Sequence, residues 1–397
     1  MFFLSKINSS LRFLFSILAS NFLLSLHFAL IIYINSTFLE QFFSPGSLGF
    51  LFALGAVLNL FFLLRGPELI SKFGNYRLVL FFIFLEFLAV LGLALTENPL
   101  FVAILFVLHQ GTIMTILFCL DIFLENYSDQ RESKTGGIRG IYLTLGNLAF
   151  VISPALAGLI LTNGDFWKIY LVSATLLIPL FFLAKRGLKV KIEYPKKSSL
   201  KETFKKIISD KNIFGVFAVQ FILQFFFAWM VIYMPIHLSQ NLHFSWTEIG
   251  LIFTIMLLPF LIFEIPMGWI ADKKTGEKEI MTIGFLIIAS STAITAFLNS
   301  PVFIIWALVL FMTRVGASFT EIASESYFFK KVRAGEPDII SFFRISRPLA
   351  LIVAPLIAAG VLTGFEILNI QYSFLFLVLS IIVLFGIKYS LSIEDTR

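Results

Sequence analysis

The 397-residue chain has little charge and almost no cysteine: 14% of its residues are Asp, Glu, Lys or Arg, and Cys119 is its one cysteine. Soluble domains carry about 25% charged residues, so this is not the composition of a water-facing fold. A single cysteine excludes an internal disulfide, and Cys119 lies in an apolar run with no chemistry assigned to it. Four histidines are scattered, with no H-E-x-x-H and no Cys/His cluster, so the sequence suggests no metal site. G-x-x-x-x-G-K-[ST] is missing, which leaves ATP-driven pumping by this chain unsupported. Without G-x-S-x-G or a soluble catalytic domain, the chain is expected to be neither an enzyme nor the holder of a cofactor.

What is present is hydrocarbon. Of the residues 58% are hydrophobic and 50 are phenylalanine, more than one aqueous core can hide. A bilayer accepts apolar side chains on every face of a helix. Twelve runs are near the ~20 residues a spanning helix needs: 11–34, 47–65, 77–95, 99–124, 138–162, 166–184, 213–238, 247–271, 279–298, 301–322, 339–363 and 370–390. Turn chemistry separates them, as in SPGS at 44–47, TENP at 96–99, NGD at 163–165 and NSP at 299–301. The runs lack the strict alternation of barrel strands. The fold class is an all-α membrane protein with twelve transmembrane helices.

Basic residues give the orientation. The N-terminus, the even-to-odd connections and the C-terminal tail hold 26 of the 30 Lys and Arg; Lys168 is on the other side, and Arg314, Arg344 and Arg347 fall inside spans. Both termini are therefore expected in the cytoplasm, in a multi-pass protein of the plasma (cytoplasmic) membrane. The same asymmetry accounts for the net charge of +6 without nucleic acid. Lys6 and Arg12 precede an apolar run that continues to Ile34, longer than a signal-peptide core, so the first helix reads as uncleaved.

The runs divide evenly around a basic stretch at 185–212, giving an N-terminal six-helix bundle at 1–184, a linker at 185–212 and a C-terminal bundle at 213–397. Within the linker, Ser199 and Glu202 have capping-box spacing, and Leu200, Phe204, Ile207 and Ile208 share one face. That pattern reads as an interfacial helix on the anionic leaflet, a tether or a regulatory site. The halves repeat. DIFLENY at 121–127 and EIASESY at 321–327 share one pattern, and SPALAG at 153–158 matches APLIAAG at 354–360. Six-helix halves of this kind mark secondary transporters.

EIPMGWIADKKTGEKE at 264–279 places Gly268, Asp272, Lys273, Gly276 and Lys278 on the pattern G-x-x-x-D-[RK]-x-G-x-[RK]-[RK], with one extra residue before Gly276. PELISKFGNYR at 67–77 is a decayed copy in which Pro67 and Ser71 replace the glycine and the aspartate. The chain thereby resembles the major facilitator superfamily over its whole length. The resemblance implies two pseudo-symmetric six-helix bundles and a secondary active transporter of a small solute, working by alternating access and proton-coupled. An uncoupled facilitator, or a non-transporting receptor or assembly protein on the same fold, is the alternative. The implied partners are the lipid bilayer, a small-molecule substrate and protons, with the chain a monomer.

Residues four apart share a helix face, so Asp121 with Glu125, and Glu321 with Glu325, form two acidic edges. Arg139, Arg344 and Arg347 are their candidate partners. The resemblance implies that these groups, with Gly268, Asp272 and Lys273, hold a cytoplasmic gate shut. Asp121, Glu264 and Glu321 are also proton-coupling candidates. Helices one, four, seven and ten line the cavity in the family and are rich in polar residues here. The candidates are Asn21 and His27; His109 and Gln110; Gln220, Gln224, Trp229 and Tyr233; and Arg314 and Ser318. Arg314 cannot relinquish its charge, so it needs an anion from the protein or from a substrate. His27 and His109 read first as packed hydrogen-bonders and second as proton carriers. Glu86 falls mid-span in helix three with no function assigned.

Overall fold

The computed structural model describes residues 9–129, 135–162, 164–190, 208–270, 276–331 and 337–394. Twelve helices among them are long and apolar enough to cross a membrane. They are α1 (Ser9–Ile32), α2 (Pro45–Phe73), α3 (Asn75–Leu95), α4 (Pro99–Asp129), α5 (Thr135–Ile160), α6 (Phe166–Gly187), α7 (Lys211–Ile236), α8 (Trp246–Ile270), α9 (Glu277–Phe297), α10 (Phe303–Lys331), α11 (Pro337–Leu368) and α12 (Phe374–Ser392). No strand occurs among the described residues. The chain is an all-α, multi-pass integral membrane protein. Its amphipathicity is inverted relative to a soluble helix. On α3, Phe81, Phe84 and Leu88 are exposed, whereas Phe82, Glu86 and Ala89 are buried. Lipid tails solvate the first set, and the interior must satisfy the second.

Two compact units form: Met1–Phe38 with Leu54–Lys197, and Leu39–Ala53 with Ser198–Arg397. In the first, α3 packs on α4 and α6, and α1 packs on α5 and α6. In the second, α9 packs on α10 and α12, and α7 packs on α11 and α12. The same four pairings thus recur six helices later, as the repeated sequence patterns suggest. Asp210 caps α7, its side chain accepting from the backbone N–H of Asn212 at 2.8 Å and of Ile213 at 3.1 Å. The capping box and most of the apolar face expected in the linker lie outside the described residues.

Several helices overshoot the apolar runs. The second was expected to end at 65, yet α2 continues past Pro67 to Phe73. Ile70 explains the extension, because it is buried in the same core cluster as Leu78, Cys119 and Leu120. The helix α4 runs to Asp129 and α10 to Lys331, so Glu125 and Glu325 lie within helices.

Where α2 gives way to α3 the chain turns on one residue, Gly74, at φ 81° and ψ 143°. Gly276 precedes α9 at φ 90° and ψ 159°. Side chains are excluded from this part of backbone space, so both positions need glycine. Each is followed by a buried polar residue that binds the next helix. Asn75 donates from Nδ2 to the Cys119 carbonyl on α4 at 2.9 Å. Glu277 accepts on Oε1 from Ser326 of α10 at 3.0 Å, and pairs there with Lys330. Asn75 and Glu277 are 202 positions apart, as are the two glycines.

At the opposite end of the second unit, the half-buried Glu40 has one carboxylate oxygen without a hydrogen-bond partner. Burial raises its carboxyl from 4.5 to about 7. Burial, and after it the charge of nearby Glu40, holds the Tyr372 phenol well above its usual range. The Tyr372 hydroxyl donates to the Tyr233 carbonyl at 3.2 Å, and its ring stacks on His237 at 5.8 Å and 9°. There α7 widens into a π-helical turn, His237–Asn241.

Two outcomes follow. Gly276→Ala forces a side chain into a glycine-only conformation and should cost about 1–3 kcal/mol; a thermal melt in detergent matching the parent would refute this. Between pH 4.5 and about 7 the folded protein keeps a proton on Glu40 that the unfolded chain has lost. Stability therefore falls as pH rises through that window. Glu40→Gln, neutral throughout, should flatten the fall in melting temperature, and parallel pH profiles would contradict it.

Candidate functional site

The first unit brings together groups that are far apart in sequence. On α3, Glu86 is wholly buried and points into the bundle. Its Oε1 lies 2.9 Å from His27 Nε2 on α1 and 2.5 Å from His109 Nδ1 on α4. Thr112, one turn beyond His109, donates its hydroxyl to the other carboxylate oxygen. From α6, Ser173 meets the far side of the His27 ring: Nδ1 is 3.0 Å from its carbonyl oxygen and 2.7 Å from Oγ. The Ser173 hydroxyl also reaches the His27 carbonyl, at 2.9 Å. The two imidazole planes are nearly perpendicular, at 85°. Three helices thus meet at one carboxylate, a fourth joins them through the His27 ring, and all five side chains are fully buried.

Charge this deep persists only when paired and hydrogen-bonded. The ligand-type atoms of His27, Glu86 and His109 lie within 4.8 Å of one another, the one such group among the described residues. Both imidazole nitrogens lie at hydrogen-bonding distance from the same carboxylate oxygen, so the three side chains satisfy one another directly.

In the second unit Arg314 of α10 is 2% exposed. Its guanidinium lies 5.1 Å from the ring centres of both Phe226 and Phe227 on α7. Aromatic faces are attractive surroundings for a desolvated cation. Along α7, Gln220 accepts from Ser324 of α10 at 3.1 Å. Trp229 is buried between Phe225 and Tyr233, and the Tyr233 hydroxyl donates to the Pro355 carbonyl at 3.2 Å. Gln224 is half-buried, and Ser318 donates to its own helix, at Val315, at 2.9 Å.

The remaining cavity candidates in the first unit bind neighbouring helices. Asn21 donates to the Tyr142 carbonyl on α5 at 2.8 Å. Gln110 packs where Gly55 of α2 leaves room. Of the gate candidates, Asp121, Glu321, Glu325, Arg344 and Arg347 are half-buried and Glu125 is exposed. Arg139, Glu264 and Gly268 stand in helices, but their side chains lie outside the described set; Asp272 and Lys273 fall outside it altogether.

Sequence reasoning passed over Ser173, Asn75, Glu277 and Glu40 as site residues. For Asn75 and Glu277 a signal existed, because each directly follows the glycine of a repeated motif. Nothing in the order of residues pairs Glu86 with histidines 59 and 23 positions away.

The model of the Major Facilitator Superfamily matches residues 13–236 and 216–392. No curated protein matches the sequence. Among solved structures, the nucleoside transporter NupG superposes with a TM-score of 0.77 at 12% identity, over 98% of this chain and 100% of that one. The POT family transporter PepTSo gives 0.78 at 12% identity, over 96% and 97%. An auto-inhibited POT family peptide transporter gives 0.78 at 11%, over 97% and 98%. At such identities the likeness is one of fold alone. With twelve spanning helices and a family match from end to end, the chain belongs to the Major Facilitator Superfamily.

Proposed function

We propose that this protein is a secondary active transporter of a small polar or anionic solute, coupled to protons and working by alternating access, with both termini in the cytoplasm of a cell bounded by its plasma membrane. General secondary transport is what the family does. The observation that carries the solute class is Arg314. It is a permanent cation buried in α10 and faced by two phenylalanine rings of α7. Holding such a charge out of water is costly, and a guanidinium offers a fixed fork of donors suited to carboxylate or phosphate. Gln220, Gln224, Trp229 and Tyr233 on α7 give that neighbourhood its polar and aromatic character. The orientation is supported by the basic residues, which gather at one end of the helices. Asp121 and Glu321, half-buried on α4 and α10, fit a gate whose charges are paired and released in the cycle.

The test is uptake into proteoliposomes, screened over nucleosides, peptides, sugars and organic anions at two pH values. Arg314→Gln should abolish uptake of the transported solute while leaving the melting temperature within a few degrees of the parent. Unchanged affinity in that variant would reject the role of Arg314.

A further inference from the structure

We propose that the His27–Glu86–His109 cluster is a proton-binding site, carrying one exchangeable proton as the His27 imidazolium on the Glu86 carboxylate. This rests on the proton-coupled reading above and supplies its site. The argument begins with donors and acceptors. The Ser173 carbonyl can only accept, and the Ser173 hydroxyl spends its one hydrogen on the His27 carbonyl. Both therefore require a hydrogen on His27 Nδ1. On the other side of the ring, Nε2 faces Glu86 Oε1 at 2.9 Å, which also accepts from His109 Nδ1. Both nitrogens of His27 thus meet acceptors, an arrangement suited to the doubly protonated ring.

Charge balance agrees. With Glu86 ionised, His27 protonated and His109 neutral, the cluster sums to zero. Removing the His27 Nε2 proton leaves one uncompensated negative charge at full burial, together with two lone pairs facing each other. The unloaded state must therefore repack α1, α3, α4 and α6, which is how a proton can act on a helix bundle. His109 Nε2 is the buried nitrogen of the group that has no hydrogen-bond partner. The titratable groups facing this site from its four helices are His27, Glu86 and His109, with Tyr170 one turn along α6 from Ser173. The Tyr170 hydroxyl donates to Asn35 at 2.8 Å. Cys119 lies farther along α4 and donates nothing to the cluster.

Packing alone does not call for these residues. In the register of Gly74 and Gly276 the counterpart of Glu86 is Ile288, and in the register of Asp121 and Glu321 the counterpart of His109 is Val309. Ile288 is fully buried and Val309 half-buried, so hydrocarbon fills these places in the second unit. Buried ion pairs are often replaceable by apolar residues without loss of stability, so the polar version needs another reason.

The chain has four histidines, so ¹⁵N-histidine NMR of the full protein in nanodiscs can assign each. At neutral pH, His27 should show two protonated nitrogens and lose one of them in Glu86→Gln. A singly protonated His27 in the parent, or an imidazolium indifferent to Glu86→Gln, overturns the proposal. In liposomes with a trapped pH dye, addition of the screened solute mixture should drive proton influx in the parent and none in Glu86→Gln. No influx in the parent defeats the proton-coupled reading itself. Equal influx in parent and variant defeats only its assignment to this cluster. Should Glu86→Gln misfold, the variant His27→Leu/Glu86→Ile/His109→Leu replaces the cluster with hydrocarbon; it should fold and lose the influx, and retained influx again rejects the site.

Discussion

A charge inside a bilayer has to be solvated by the protein, and much of this structure follows from that constraint. Glu86 could not stand on α3 without donors, and it receives them from α1 and α4. That requirement adds a directional constraint that apolar packing lacks, because one hydrocarbon surface fits another almost as well as it fits lipid. The outward face of α3 shows the contrast, with Phe81, Phe84 and Leu88 free to meet any apolar neighbour. Direction and register inside the unit come from polar atoms, and bulk from phenylalanine.

The repeat shows which constraints both halves share. Four helix pairings recur, and so does the corner made by a glycine of positive φ and a buried polar residue. At both corners the first residue of the next helix is buried against a neighbour and must be satisfied there. Asn75 does this with an amide and Glu277 with an ion pair, two chemistries for one geometric demand. The corner is retained while its chemistry varies. At Glu86 and His109 the halves instead differ in kind, polar in one and hydrocarbon in the other.

The sequence showed the membrane, the twelve helices and the repeat because each is written in runs or in fixed spacings. It did not show where α2, α4 and α10 end. Hydropathy falls at the edge of the apolar layer, whereas the helix continues as long as residues such as Ile70 find a core. The site was legible only in part. Arg314 declared itself, because an unconditional charge in an apolar run demands an explanation wherever it lies. His27, His109 and Glu86 were each visible and each puzzling, but their meaning is in their convergence. Three isolated oddities in helices one, three and four become one cluster only when the helices are packed.

The two buried charges differ in what they can do. A guanidinium keeps its proton under all physiological conditions, so Arg314 is a constant, and its aromatic surroundings can be built once to suit it. The cluster around Glu86 is built of groups able to exchange a proton, which is what the proposed proton site requires. A transporter that couples a solute to a proton needs both kinds. In the proposed cycle, the fixed charge would recognise the solute at every stage, and the variable one would register whether a proton has arrived. The hydrocarbon at Ile288 and Val309 is as informative as the cluster it replaces, because on the proposed reading it marks the unit in which no proton would have to be held.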